Sequence, residues 1–371
     1  MTLTAAVENL FDRATRRLDG PLMVVVVVLA AVSLTSVYSA SGGDTFDRTL
    51  GQLRNFAVAF CAMWVVANVS PQTLMRLAIP IYIAGVVLLV GVALFGEIRN
   101  GARRWLNFGF ITLQPSEIMK LGMPLLLAWY FHRKEEVLNW KDYAIAGLIL
   151  MIPTGLVMRQ PDLGTSILVF SAGFFVIFLA GLSWRILITG GVAFLALLPV
   201  AWHYVMHDYQ KQRVMTLVDP MSDPLGAGYH IIQSTIALGS GGVLGKGWLN
   251  GSQSQLDFIP ERSTDFILAV YGEEFGLIGT LLLLTLYLIV IGRGFMIAMN
   301  ASTTFSRLLA GAITLSFFTY AFVNIGMVSG ILPVVGVPLP LMSYGGTAIL
   351  SMCIGFGMLM SISTHKQLVA T

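Results

Sequence analysis

Residues 259–292 read IPERSTDFILAVYGEEFGLIGTLLLLTLYLIVIG. From Phe266 onward the stretch is an apolar run long enough to cross the hydrocarbon of a bilayer, which takes about 20 residues of helix. Asp265 stands at its mouth and the pair Glu273–Glu274 lies within its first turns. An ionised carboxylate in or beside lipid is costly, so acids placed here mark a functional site by default.

Runs of the same kind recur outward along the chain, among them PLMVVVVVLAAVSLTSVYSA (21–40) and IYIAGVVLLVGVALF (81–95). The 371 residues are 56% hydrophobic and 11% charged, where a soluble domain carries about 25% charged residues. The mean hydropathy is +0.80. These runs are too apolar and too numerous for one globular core. They predict an all-α polytopic membrane protein, a single membrane domain over 1–371. About ten transmembrane helices are expected, near 21–40, 52–69, 75–95, 115–131, 143–158, 165–181, 184–205, 265–292, 305–329 and 343–363. Residues 1–20 contain Glu8, Asp12 and Asp19 and no small-residue cleavage site, so a cytoplasmic interfacial segment or a disordered basic flank is expected there rather than a cleaved signal. Cys61 and Cys353 fall inside apolar runs, and neither a disulfide framework nor a Cys/His metal cluster is present. His203, His207 and His230 are too scattered to argue a metal site.

Lys and Arg near the ends of short loops set the orientation. With the N-terminus inside, the inner flanks hold eleven basic and six acidic residues, and the rest of the chain eleven and thirteen. Both termini are therefore expected in the cytoplasm. One connection is far longer than the others: 206–264, between spans seven and eight on the outer side. Loops of that length are usually functional. Within it HIIQSTIAL (230–238) has the pattern of a short amphipathic helix, and the glycines of GSGGVLGKG (239–247) permit tight turns.

This topology gathers polar residues at one membrane face. The outer loop 95–122 holds Arg103, Arg104, Glu117 and Lys120; the turn MRQPDLGTS (158–166) holds Arg159, Gln160 and Asp162; the long loop adds Arg213, Lys246 and Thr264. Span ten is entered through VVGVPLPLMSYGG (334–346), which contains Ser343. Each has a plain structural reading beside a functional one. Glu117 and Lys120 share a helical face and form either an ion pair that eases membrane entry or part of a site. Arg103–Arg104–Trp105 suits an interfacial anchor as well as a phosphate clamp. Asp162 fits a turn or helix cap more readily than a catalyst. Glu273 either caps a cavity or bonds another span. Asp265, where water meets lipid, is the strongest candidate for a general base, since partial burial raises a carboxyl pKa, although its spacing alone fits a helix N-cap more readily.

The motifs GARRWLNFG (101–109), QPSEIMK (114–120), RQPDLGTS (159–166), HDYQKQRVMTLVDPMSDPLGAGYHIIQS (207–234), GSGGVLGKGW (239–248), QSQLDFIPERSTDFILAVYGEEFG (253–276) and SGILPVVGVPLPLMSYGG (329–346) occur in this order. Together they resemble the SEDS family (shape, elongation, division and sporulation proteins), in its elongation-type branch ahead of its division-type branch. The resemblance spans nearly the whole chain. It implies a peptidoglycan glycosyltransferase of the bacterial cytoplasmic (inner) membrane that polymerises lipid II into β-1,4-linked strands at the outer face. It places the catalytic aspartate on Asp265. The leaving diphosphate would be met by Arg103, Arg104, Lys120, Arg213 or Lys246, or by a divalent cation such as Mg or Mn. Implied partners are lipid II, the growing glycan strand, a class B penicillin-binding protein and other elongation-complex membrane proteins; nucleic acid is not among them. Where the family pattern has His before Thr-Asp, this chain has Ser263. The rival readings are a lipid II flippase or transporter, a division-type polymerase and a non-catalytic membrane scaffold for a partner; a transporter is expected to carry charges on both faces and near the midplane.

Overall fold

The computed structural model describes residues 17–43, 46–99, 102–107, 109, 112–134, 138–204, 206, 208–224, 226–256 and 258–365. The expected segment 1–20 therefore lies, up to residue 16, outside the described residues, as does His207.

Each of the ten apolar segments folds as helix: α1 Gly20–Ala40, α2 Asp47–Ala67, α3 Pro71–Phe95, α4 Pro115–Arg133, α5 Trp140–Met158, α6 Leu163–Leu179, α7 Trp184–Tyr204, and, after the long connection, α11 Ile267–Met299, α12 Thr304–Val328 and α13 Gly346–Thr364. Eight of them are long and apolar enough to cross a membrane; α6, at 17 residues, is a shorter apolar helix, and α4 carries Glu117, Lys120, His132 and Arg133. Their starts follow local chemistry. Asp19 caps α1 through the Leu22 N–H, Ser70 caps α3 through that of Thr73, Asp162 caps α6 through that of Thr165, and Thr303 caps α12 through that of Ser306. Pro71 and Pro115 open α3 and α4, where a missing N–H costs nothing.

Packing is centred on α12, whose apolar window is 67% buried, with α13 at 61%. The pairs α2–α13, α11–α12 and α3–α4 run along each other, and α6 packs against α4, α5 and α12. Large apolar side chains such as Val87, Leu94 and Leu288 point outward, as lipid contact requires. Helix α7 contributes no buried residue. At one end of the bundle Arg293 of α11 grips Asp19 through Nε at 2.9 Å and Nη2 at 2.7 Å, and Ser363 of α13 donates to the same carboxylate at 2.7 Å.

At the opposite end the chain departs from a purely helical design. Three strands between α3 and α4 form a small antiparallel sheet, β1 Glu97–Arg99, β2 Ala102–Asn107 and β3 Thr112–Leu113, in the order β1-β2-β3. The long connection is largely ordered: helix α8 Asp208–Val218, a 3₁₀ turn Pro220–Ser222, helix α9 Ala227–Ser240, which includes the expected 230–238 helix, and a single turn, α10 Ser252–Gln255. Helix α11 is broken at Gly276 (φ 63°, ψ −160°). Backbone groups around the break pair with the glycine loop: the N–H groups of Lys246 and Gly247 donate to the carbonyls of Glu273 and Glu274 at 3.0 and 2.9 Å, and that of Leu277 donates to Gly242 at 3.0 Å. A Cβ on Gly276 would sit 2.3 Å from the Gly245 nitrogen, so the close approach excludes any side chain. Cys61 is exposed and Cys353 buried, both free thiols.

Candidate functional site

A cavity of about 430 Å³ opens at the end of the bundle that carries the sheet. Its wall is assembled from five separate parts of the chain: Arg104 and Gln114 to Lys120, then Asp162 to Leu168, then Thr264 and Asp265, then Tyr320 of α12, then Gly336 to Met352. The sequence expectation that these loops meet at one face is met by the geometry. A second, predominantly apolar groove of about 270 Å³ lies between α3, α4 and α13 and shares Gln114, Glu117 and Thr347 with the cavity.

Asp265 stands two residues ahead of α11, partly exposed into the cavity. Burial, and next the negative charge of Glu261, push its carboxyl up to about 6; Arg104 pulls it down and Asp162 adds a smaller push. A carboxylate with these neighbours is still ionised at neutral pH yet is a stronger base than an exposed one. Thr264 donates its hydroxyl to Glu261 Oε2 at 2.8 Å, fixing the turn before it.

Asp162 is 4% exposed and is a helix cap, accepting from the Thr165 N–H at 3.0 Å and hydroxyl at 2.8 Å. It also pairs with Arg104 Nε at 3.2 Å, so cap and site coincide. Glu117 and Lys120 form the expected ion pair at 2.7 Å, with Ser351 donating to the other Glu117 oxygen at 2.7 Å. The Lys120 ammonium lies 4.9 Å from the centre of the Tyr320 ring. A buried ammonium beside one carboxylate and facing an open polar cavity is suited to an incoming anion.

Other expected site residues lie elsewhere. Arg103 and Arg104 are neighbours on β2, so they point to opposite faces; Arg104 lines the cavity, while Arg103 is exposed and donates to the Ala93 carbonyl at 3.3 Å. Gln160 is buried and donates to Leu89 O at 3.5 Å, outside the cavity. Arg213 sits on α8, also outside it. Lys246 is held by Glu273 and the Ser252 hydroxyl, each at 2.7 Å. This resolves the acid pair of α11. Glu273, fully buried, collects Lys246, Ser240, Ser252 and the N–H groups of Gln253 and Ser254, and Glu274 accepts from Ser39. Glu273 staples the long connection to the bundle, and Glu274 ties α11 to α1.

The stretch 334–346 forms the far wall, with irregular backbone among the helices, tolerable only where its polar groups are satisfied or line a cavity. Ser33 of α1 donates to Met342 O at 2.8 Å, Gln52 of α2 to Ser343 O at 3.0 Å, and Tyr287 of α11 to Pro340 O at 2.7 Å. Ser343 lines the cavity, but its hydroxyl is occupied by two backbone partners, donating to Thr264 O at 2.6 Å and accepting from Leu339 N at 2.7 Å. Ser263, in the place of the family histidine, is buried and accepts from Arg48 Nη1 at 2.9 Å. Ser33, Gln52 and Asn324 lie outside the sequence reading; for Asn324 the available signal is an amide inside an apolar helix, whereas Ser33 and Gln52 are masked by the polar residues around them. Among the described residues no group of three or more His, Cys, Asp or Glu is placed to hold a metal.

Residues 19–368 match the family model of the FtsW, RodA and SpoVE cell cycle proteins. The peptidoglycan glycosyltransferase MrdB of Escherichia coli K12 is 52% identical over 355 residues, covering 95% of each chain. A chain of a solved peptidoglycan synthase complex, in which polymerization and crosslinking are coordinated, is 33% identical with a TM-score of 0.82, covering 94% of this chain and 99% of that one. The rod shape determining protein RodA of Thermus thermophilus is 28% identical with a TM-score of 0.72, over 94% and 98%. Matched by the family model over residues 19–368 and half identical to a relative along nearly its full length, this chain belongs to the FtsW/RodA/SpoVE family, the SEDS proteins.

Proposed function

We propose that this chain is an elongation-type peptidoglycan glycosyltransferase, polymerising lipid II by an inverting transfer with Asp265 as general base. The observation that carries the reading is the Asp265 carboxylate itself, raised in basicity and directed into a cavity that also holds Arg104 and Lys120. The acceptor sugar's 4-hydroxyl attacks the anomeric carbon of the donor from the side opposite its α-linked diphosphate. The new C–O bond forms as the bond to the diphosphate breaks, and the hydroxyl proton passes to Asp265. One base suffices, with no covalent intermediate. Positive charge placed ahead of the reaction stabilises the leaving diphosphate; Arg104 and Lys120 are the cations that line the cavity. A divalent ion arriving with the diphosphate would be held by phosphate oxygens and Asp162, which faces the cavity, leaving Asp265 as the base. Such an ion would add positive charge at the leaving group.

The apolar groove beside the cavity fits the polyprenyl chain of a lipid-linked substrate, its shared rim at Glu117 and Thr347 marking where lipid ends and headgroup begins. Crowding of the unusual charges at one end of the bundle favours a polymerase over a transporter. The end that carries the sheet is the outer face in this reading, with both termini cytoplasmic and about ten spans. A class B penicillin-binding protein is the partner that cross-links the product, supported by the likeness to a synthase complex, and other elongation-complex membrane proteins are further partners.

The test is lipid II polymerisation by the purified chain with its transpeptidase, wild type against Asp265→Ala, with assembly of the complex checked in parallel. Glycan strands from the wild type and none from an intact mutant support the reading. Normal strands from the mutant remove Asp265 as the base. Inactivity of the wild type under permissive conditions reopens transport.

A further inference from the structure

Asp265 has an unusual support. Its carboxylate receives no hydrogen bond from the described residues, yet three consecutive carbonyls leading to it are each held. Ser263 O accepts from Tyr344 N at 2.8 Å, Thr264 O from Ser343 Oγ at 2.6 Å, and Asp265 O from Asn324 Nδ2 at 2.8 Å. The same Asn324 nitrogen donates to Val337 O at 2.7 Å. Both of its hydrogens are used, and turning the amide over would press its oxygen against two carbonyls, so the network fixes the orientation. Asn324 has no exposed surface, and its Oδ1 has no partner. A buried amide with an orphaned oxygen is a poor device for stability alone.

We infer that Asn324, with Ser343 as a second point, is a positioning residue that fixes the Asp265 carboxylate through its backbone. The physical advantage is specific. A donor placed on the carboxylate would stabilise the anion and weaken it as a base, whereas donors placed on the flanking carbonyls set its position and leave its basicity untouched. The clamp refers that position to the whole bundle, because the wall segment it joins is itself tied to α1 by Ser33, to α2 by Gln52 and to α11 by Tyr287. The inference rests on Asp265 being the base.

The experiment is steady-state polymerisation of lipid II by the full chain with its transpeptidase, comparing Asn324→Leu, Asn324→Gln and Ser343→Ala with wild type. Misplacing a reacting group by about 1 Å costs on the order of 10²-fold. Asn324→Leu should therefore lower kcat by on the order of 10²-fold with KM for lipid II unchanged, and Ser343→Ala should lower it less. Asn324→Gln, which keeps the donor, should recover part of the rate. On an Asp265→Asn background, Asn324→Leu should cause no further loss from the residual rate. An unchanged kcat in folded Asn324→Leu, a loss confined to KM, or a full additional loss on the Asp265→Asn background each overturns the inference. If Asn324→Leu does not assemble, Ser343→Ala and Asn324→Gln decide: wild-type kcat in Ser343→Ala overturns it, and a lowered kcat at constant KM supports it. Wild-type activity in Asp265→Asn removes the base reading itself, whereas an inactive Asp265→Asn beside a normal Asn324→Leu removes only the clamp.

Discussion

Asp265 is held against its own ionisation preference. Burial and Glu261 raise its carboxyl to about 6, so the fold binds its proton more tightly than the unfolded chain does. Ionisation at neutral pH therefore opposes folding, and Asp265→Asn is expected to raise Tm while lowering polymerisation by about 10²–10⁴-fold, the usual worth of a general base. The base must be ionised to act, so the wild-type rate should fall as pH drops through about 6. A rate that stays flat down to pH 5 would argue against a titrating base in this range. The two arginines of β2 offer a second comparison. Arg104→Ala should cost at least about 10-fold in polymerisation, as removal of a charge that meets the developing phosphate charge does. Arg103→Ala, on the far face of the same strand, should stay within about 3-fold, and equal losses in the two would contradict the strand's facing.

At the scale of elements, the broken helix α11 and the glycine loop make one unit. Glu273 is buried with five protein donors around it, of which Lys246 carries the charge. Replacing Lys246 by Met leaves a buried carboxylate with neutral donors only, a loss of about 1.5–3 kcal/mol for a hydrogen bond between charged groups. Lys246→Met should thus lower Tm in detergent while the folded complex keeps its polymerisation rate within about 3-fold. A large loss of rate at unchanged Tm would instead return Lys246 to the substrate. Three of the elements here were legible beforehand: the 230–238 helix by its pattern, α4 by its apolar run from 115, and the glycine turns. The sheet between α3 and α4 was not, because its strands are only two to six residues long and lie between long apolar runs.

For the whole molecule, the decisive property is that the cavity and the Asp19–Arg293–Ser363 cluster occupy opposite ends of one bundle. Sidedness follows from labelling. In a chain with Cys61 and Cys353 replaced by Ser, Leu244→Cys in the outer loop should react with a membrane-impermeant maleimide in spheroplasts. Ser302→Cys, between α11 and α12, should react only after lysis. The reverse pattern would invert the proposed orientation and place the cavity on the cytoplasmic side.

The sequence by itself determined the class of solvent around this protein and the helices that fit it, because hydrophobic run length is a local property set by bilayer thickness. It also brought the unusual charges to one end, because in a helical membrane protein the order of spans decides which loops meet. Only the tertiary structure decided which of those charges face the cavity. Arg103 and Arg104 differ by one strand position, Glu117 and Lys120 face both each other and the cavity, and Lys246 is claimed by an acid 27 residues away. The supports of Asp265 from Asn324 and Ser343 join residues 59 and 79 positions apart. Contacts of that kind depend on how helices cross and where a wall segment enters, which spacing along the chain does not encode.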